Sequence, residues 1–118
     1  MPNVLIGSAT KLKVGGSIVV PNMSDWKYLM VTLLIDAGVT GGIIYNQNGD
    51  VGFTSPLWNI NDGNSGSWGI TLTISTNKIT CKVAKKFRTI NSNDVPVVNM
   101  TPSDDLYSYI LSVVGISK

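Results

Sequence analysis

The stretch Ser67-Trp68-Gly69-Ile70-Thr71-Leu72-Thr73-Ile74-Ser75 decides the fold. Trp68, Ile70, Leu72 and Ile74 fall on every second position, with Ser67, Gly69, Thr71, Thr73 and Ser75 between them. Successive side chains of an extended strand point to opposite faces, so this stretch has one face for a core and one for water. After a tight Ser75-Thr76-Asn77-Lys78 link the alternation resumes, with Ile79, Cys81 and Val83 on the apolar side and Lys78, Thr80, Lys82 and Lys86 opposite. The two runs predict a hairpin.

The rest of the chain repeats this chemistry. Val, Ile and Thr make up 35 of 118 residues, against three Ala and no Glu, so good helix formers are scarce and β-branched residues abundant. Gly, Asn and Ser supply another 35, gathered at Gly15-Gly16, Gly41-Gly42, Asn46 to Asp50 and Asn61 to Gly66, which read as turns. Further strands are predicted near Val4 to Gly7, Ser17 to Val20, Trp26 to Ile35, Gly42 to Tyr45, Val95 to Asn99 and Tyr107 to Ile116. Ser24 and Asp25 ahead of Trp26 would also suit the start of a helix, but the β-branched and aromatic content that follows favours a strand. With no linker or repeat, residues 1–118 read as a single all-β domain, an antiparallel two-sheet sandwich of jelly-roll-like type.

Composition removes most chemistries. There is no His, one Cys (Cys81), and all seven acidic residues are Asp, so no His-based triad, His/Cys zinc site or internal disulfide can be built. We therefore expect no catalytic residues, no metal and no cofactor. Asp104-Asp105 is the one adjacent acidic pair, and Pro102-Ser103-Asp104-Asp105 reads as turn chemistry. The loop from Asn61 offers oxygen ligands, yet Thr73 stands where an EF-hand would need its closing Glu. Net charge is only +2 with 14% charged residues, which gives no field demanding a polyanion. Lys78, Lys82, Lys86 and Arg88 share one parity, but solvent-facing lysines on a strand also discourage edge pairing, so no nucleic-acid partner is expected. The longest nearly apolar run, Leu29 to Ile35, is far below the ~20 residues of a spanning helix, so membrane insertion is not expected either. The start lacks the basic region and long apolar core of a signal peptide.

Among the aromatic residues, Trp68 alternates with core positions and Trp26 heads an apolar strand. Trp58 lies in Thr54-Ser55-Pro56-Leu57-Trp58-Asn59-Ile60-Asn61-Asp62, beside a polar loop. There it either folds back over the core or presents a ring that can stack on a sugar, with amide and carboxylate neighbours for hydroxyls. The candidate ligand-binding set is Trp58, Asn59, Asn61, Asp62 and Asn64, with Tyr45 and Asn48 as neighbours.

Gly15-Gly16-Ser17-Ile18-Val19-Val20-Pro21, then Met23-Ser24-Asp25-Trp26-Lys27-Tyr28-Leu29 leading into a long apolar strand, together with the Ile70 to Val83 hairpin, Phe87-Arg88 and the ending Tyr109 to Ile116, resemble the small C-terminal β-domains of bacteriophage and prophage tail-fibre or baseplate proteins. The resemblance is one of pattern over nearly the whole chain. It implies a jelly-roll-type head in a homotrimer, located in the virion tail or another surface structure, assembled in the bacterial host cytoplasm, and contacting host-surface glycans. A bacterial carbohydrate-binding or Ig-like module attached to an enzyme is the alternative.

Self-association is also expected from the residues. In Trp26 to Ile35 one parity holds Trp26, Tyr28, Met30, Thr32 and Leu34, the other Lys27, Leu29, Val31, Leu33 and Ile35. Both faces are apolar, whereas a two-layer sandwich buries one face of each sheet. The second face calls for a covering segment or another subunit, and the low charge favours a subunit; only the number three comes from the resemblance.

Overall fold

The computed structural model describes residues 3–35, 38–58, 65–92, 95–102 and 107–118, with side chains described at 3–35, 38–54, 69–84 and 108–118. Ten strands form two antiparallel sheets that pack together as a sandwich, with no α-helix among the described residues. The strands are β1 (Val4–Ile6), β2 (Thr10–Lys13), β3 (Ser17–Val19), β4 (Tyr28–Ile35), β5 (Gly38–Tyr45), β6 (Gly49–Trp58), β7 (Ser65–Ser75), β8 (Lys78–Ser92), β9 (Val95–Pro102) and β10 (Tyr107–Ile116).

One sheet has the order β1-β10-β4-β5, with β2 also on β10; the other has the order β3-β8-β7-β6, with β9 also on β8. In each, one long strand carries two shorter ones along the same edge, because β10 and β8 outrun their partners. Early chain pairs with late chain, β1 and β2 with β10 and β3 with β8. The centre is made of hairpins, β4 with β5 and β6 with β7 and β8.

The expected alternation sets the core. From β4, Leu29, Val31, Leu33 and Ile35 are buried; from β7, Ile70, Leu72 and Ile74; from β8, Ile79, Cys81 and Ala84; and from β10, Ile110 and Val113. The inward rows of β4 and β7, β-branched residues and Leu, face each other in this interior, at about 1.5–3 kcal/mol for each fully buried side chain. The hairpin link is as expected: Thr76 and Asn77 form the turn, and Asn77 takes the left-handed conformation that Asn tolerates (φ 55°).

Four expectations are corrected. The strand placed from Trp26 begins at Tyr28, because Met23–Asp25 forms a single 3-10 turn and Trp26 accepts the extended conformation at its end. Gly41-Gly42 is no turn but the middle of β5, paired with Thr32 and Val31; a side chain at Gly41 would collide with the Val31 carbonyl, so the glycine serves close strand approach. Two strands, β2 and β6, were not anticipated; β6 contains Pro56, which an edge strand accommodates because its missing N–H costs no ladder bond there. The single parity of Lys78, Lys82, Lys86 and Arg88 does not hold: Leu72 pairs with Cys81 but Thr71 with Val83, which leaves Lys82 in a bulge and reverses the alternation after it.

Candidate functional site

The chain passes from one sheet to the other at Asn46–Asn48, between the edge strands β5 and β6. Asn46 fixes this corner. Its half-buried amide Nδ2 donates to the carbonyls of Met23 (2.7 Å) and Trp26 (2.8 Å), and its backbone N–H donates to Lys27 (3.0 Å). Three bonds from one residue tie the 3-10 turn and the entry to β4 onto the corner, adding a second donor to the Met23 carbonyl, which already accepts from the Trp26 N–H. The Gln47 N–H then donates to the Tyr45 carbonyl at 3.0 Å, and Gly49, at φ 150°, opens β6.

A cleft of about 240 Å³ lies at this corner, rimmed by Tyr45, Gln47, Gly49 and Asp50, with Ile44, Val51 and Ile74 as its apolar side. Tyr45 is 54% exposed, and its ring meets Tyr28 edge to face at 5.0 Å and 72°. Asp50 is held from the neighbouring strands: Thr73 Oγ1 donates to Oδ1 and Lys82 Nζ to Oδ2, each at 2.7 Å. The Lys82 bond first, and the Thr73 bond second, hold the Asp50 carboxyl below the usual carboxylate range. The cleft rim thus brings an exposed ring and Gln47 to the strand that carries the oriented Asp50 carboxylate, groups of the kind that stack on and hydrogen-bond to neutral polyols.

A second concavity of about 570 Å³ lies over β6, β7 and β8, bordered by Gly52, Thr54, Gly69, Thr71 and Val83. Phe53 and Ile70 line it as well, so with Val83 its lining is mainly apolar, and it holds no titratable group.

The seven residues singled out by sequence are not gathered at one place. Tyr45 and Asn48 stand at the corner, both exposed. Trp58 is the last residue of β6, which starts at Gly49, so at about 3.4 Å per residue it lies roughly 30 Å away at the other end of that strand. Its side chain, and Asn59, Asn61, Asp62 and Asn64 entirely, lie outside the described residues. Gln47 and Asp50 were missed. They sat in a run read only as turn chemistry, and the partners that orient Asp50 are 23 and 32 residues away.

Comparison with protein-family models, with curated proteins and with solved structures finds no match for this chain.

Proposed function

We propose that this domain is a non-catalytic structural and adhesion module of a bacteriophage or prophage virion, a tail-fibre or receptor-binding head that acts as a homo-oligomer and contacts neutral glycans of the host surface. The observation that carries the reading is the Tyr45 corner: an exposed aromatic ring beside Gln47 and the oriented Asp50 carboxylate, on a turn pinned by Asn46. Receptor-contacting groups gain from such rigidity, because little conformational entropy remains to be lost on binding. The low net charge supports a neutral ligand over a polyanion.

Sugar contacts of one ring and two polar groups are weak singly, so several copies on one tip would supply the avidity. The loop of Trp58, Asn59, Asn61, Asp62 and Asn64 is the second proposed contact, at the far end of β6. Binding of the fluorescently labelled domain to a bacterial glycan array tests the reading. Tyr45→Ala is expected to remove most of the signal with folded content and mass unchanged. Loss with Trp58→Ala but not Tyr45→Ala moves the site to the other end. No glycan bound by the unaltered domain, at concentrations up to the millimolar range, overturns the reading.

A further inference from the structure

We infer that the outer face of the sheet β1-β10-β4-β5 is the surface on which copies of this chain meet, and that their contact puts the Tyr45 cleft on the seam. This rests on the homo-oligomeric part of the reading above and not on its glycan ligand.

The strand register aligns one apolar row across all four strands, Val4 to Val114 to Met30 to Ile43. A second row, Ile116 to Tyr28 to Tyr45, lies on one side of it, and Tyr109 to Leu34 to Val39 lies toward the other end. Val39 (65%), Ile43 (64%), Tyr45 (54%), Val4 (50%) and Met30 (38%) remain open to solvent. The other sheet has the opposite outer face. There Ser17, Thr80, Thr73 and Asp50 form the corresponding row, with Ser17 Oγ and Thr80 Oγ1 2.7 Å apart and Lys82 on Asp50. In its described part this second face is the more polar of the two, although Val19 (71%) and Val83 also lie on it.

Two arguments select a second copy as the occupant. The first is charge. The row Val4 to Val114 to Met30 to Ile43 carries no acidic or basic side chain; Lys11, paired with Tyr109, ends the third row, and at the opposite end Lys27 and Lys118 approach the rings of Tyr28 and Trp26. A partner charged at its centre would leave those charges unpaired over the apolar rows, whereas an identical pleated face, with its lysines only at the two ends, does not. The second is area. The five exposed side chains and half-buried Tyr28, Leu34, Val114 and Ile116 span all four strands, interrupted by the row Ser112 to Thr32 to Gly41, and a face of that breadth approaches the ~800 Å² each side of a standard interface contributes. Tyr45 belongs both to a row of this face and to the cleft rim, so copies that meet here bring the cleft to their junction.

Sedimentation velocity of the unaltered chain, Ile43→Asp, Val39→Asp and Thr71→Asp tests the inference, with circular dichroism to check the fold. The unaltered chain is expected to sediment at a multiple of 12.6 kDa at micromolar concentration. Ile43→Asp and Val39→Asp should fall to the single-chain mass with strand content retained, and Thr71→Asp, on the other sheet, should keep the multimer mass. A single-chain mass for the unaltered protein, a multimer mass for both β5 variants, or dispersal by Thr71→Asp overturns it. Should Ile43→Asp fail to fold, Val39→Asp decides; failure of both also overturns it, because positions this exposed in one chain tolerate a carboxylate. Glycan binding is not scored, so a mass result counts only against the interface.

Discussion

Gly115 of β10 lies directly beneath the indole of Trp26, and a methyl group at Gly115 would fall inside the ring. The half-buried Trp26 closes the end of the core there, and Lys118 Nζ sits 5.1 Å from its ring centroid on the other side. Gly115 has no positive φ, so the constraint is space and not backbone conformation.

Gly115→Ala should therefore destabilise the fold by roughly 1–3 kcal/mol, the cost of forcing a close-packed neighbour to move. Gly42→Ala, where an added Cβ meets nothing within 4 Å, should be neutral or mildly stabilising. Urea denaturation of the two variants checks the contrast.

Asn46 is the polar link on which the corner depends. Asn46→Ala leaves the Trp26 carbonyl without its Asn46 donor and the Met23 carbonyl with only the Trp26 N–H, and should cost about 1–3 kcal/mol. Asn46→Asp, which points an acceptor at two acceptors, should cost more at neutral pH. Thermal melts at pH 7 compare them, and equal stability of all three proteins would contradict the assigned bonds.

Asp50 gives the fold a pH dependence of known sign. Its carboxyl titrates below the ordinary value of about 3.9 because Lys82, then Thr73, stabilises the charged form. Its contribution is thus fully present above that ordinary value and is lost as pH falls through the lower folded value. Asp50→Asn should flatten the stability profile below about pH 4 and leave its shape between pH 5 and 8 unchanged. High salt should weaken the same contribution, since Lys82 and Asp50 side chains are 57% and 43% exposed.

Two buried groups should be silent in different ways. Burial pushes the Cys81 thiol up, so thiol reagents should label it only on unfolding. Stability should also fall as pH rises past about 8.5, where the unfolded thiol ionises and the folded one does not. Ser108 is fully buried and its Oγ has no hydrogen-bond partner. Ser108→Ala should leave stability unchanged or raise it by about 1 kcal/mol, because an unpaired buried hydroxyl costs desolvation without return.

The sandwich was legible because period-two alternation at Ile70 to Ile74 and at Leu29 to Ile35 is a backbone consequence and needs no tertiary information. Turn chemistry misled where glycine served another purpose: Gly41 and Gly42 lie inside a strand, and nothing local distinguishes the two uses. The bulge at Lys82 was invisible for a related reason, since a one-residue register shift depends on the partner strand. Of the candidate residues, Tyr45 and Asn48 read from the sequence as positions next to a turn, and both are exposed beside the β5–β6 corner. Grouping them with Trp58 failed because proximity across a β5–β6 corner and the length of β6 are set by pairing with β7 and not by sequence neighbourhood.

The central claim is that the mainly apolar outer face of the β1-β10-β4-β5 sheet is covered by another copy. Hydroxyl-radical footprinting over a wide range of protein concentration tests it residue by residue. Met30 and Tyr45, exposed in one chain, should be modified slowly in concentrated solution and faster on dilution, while fully buried Met23 stays slow throughout. Rates for Met30 and Tyr45 that match their single-chain exposure and do not change with concentration would contradict the account.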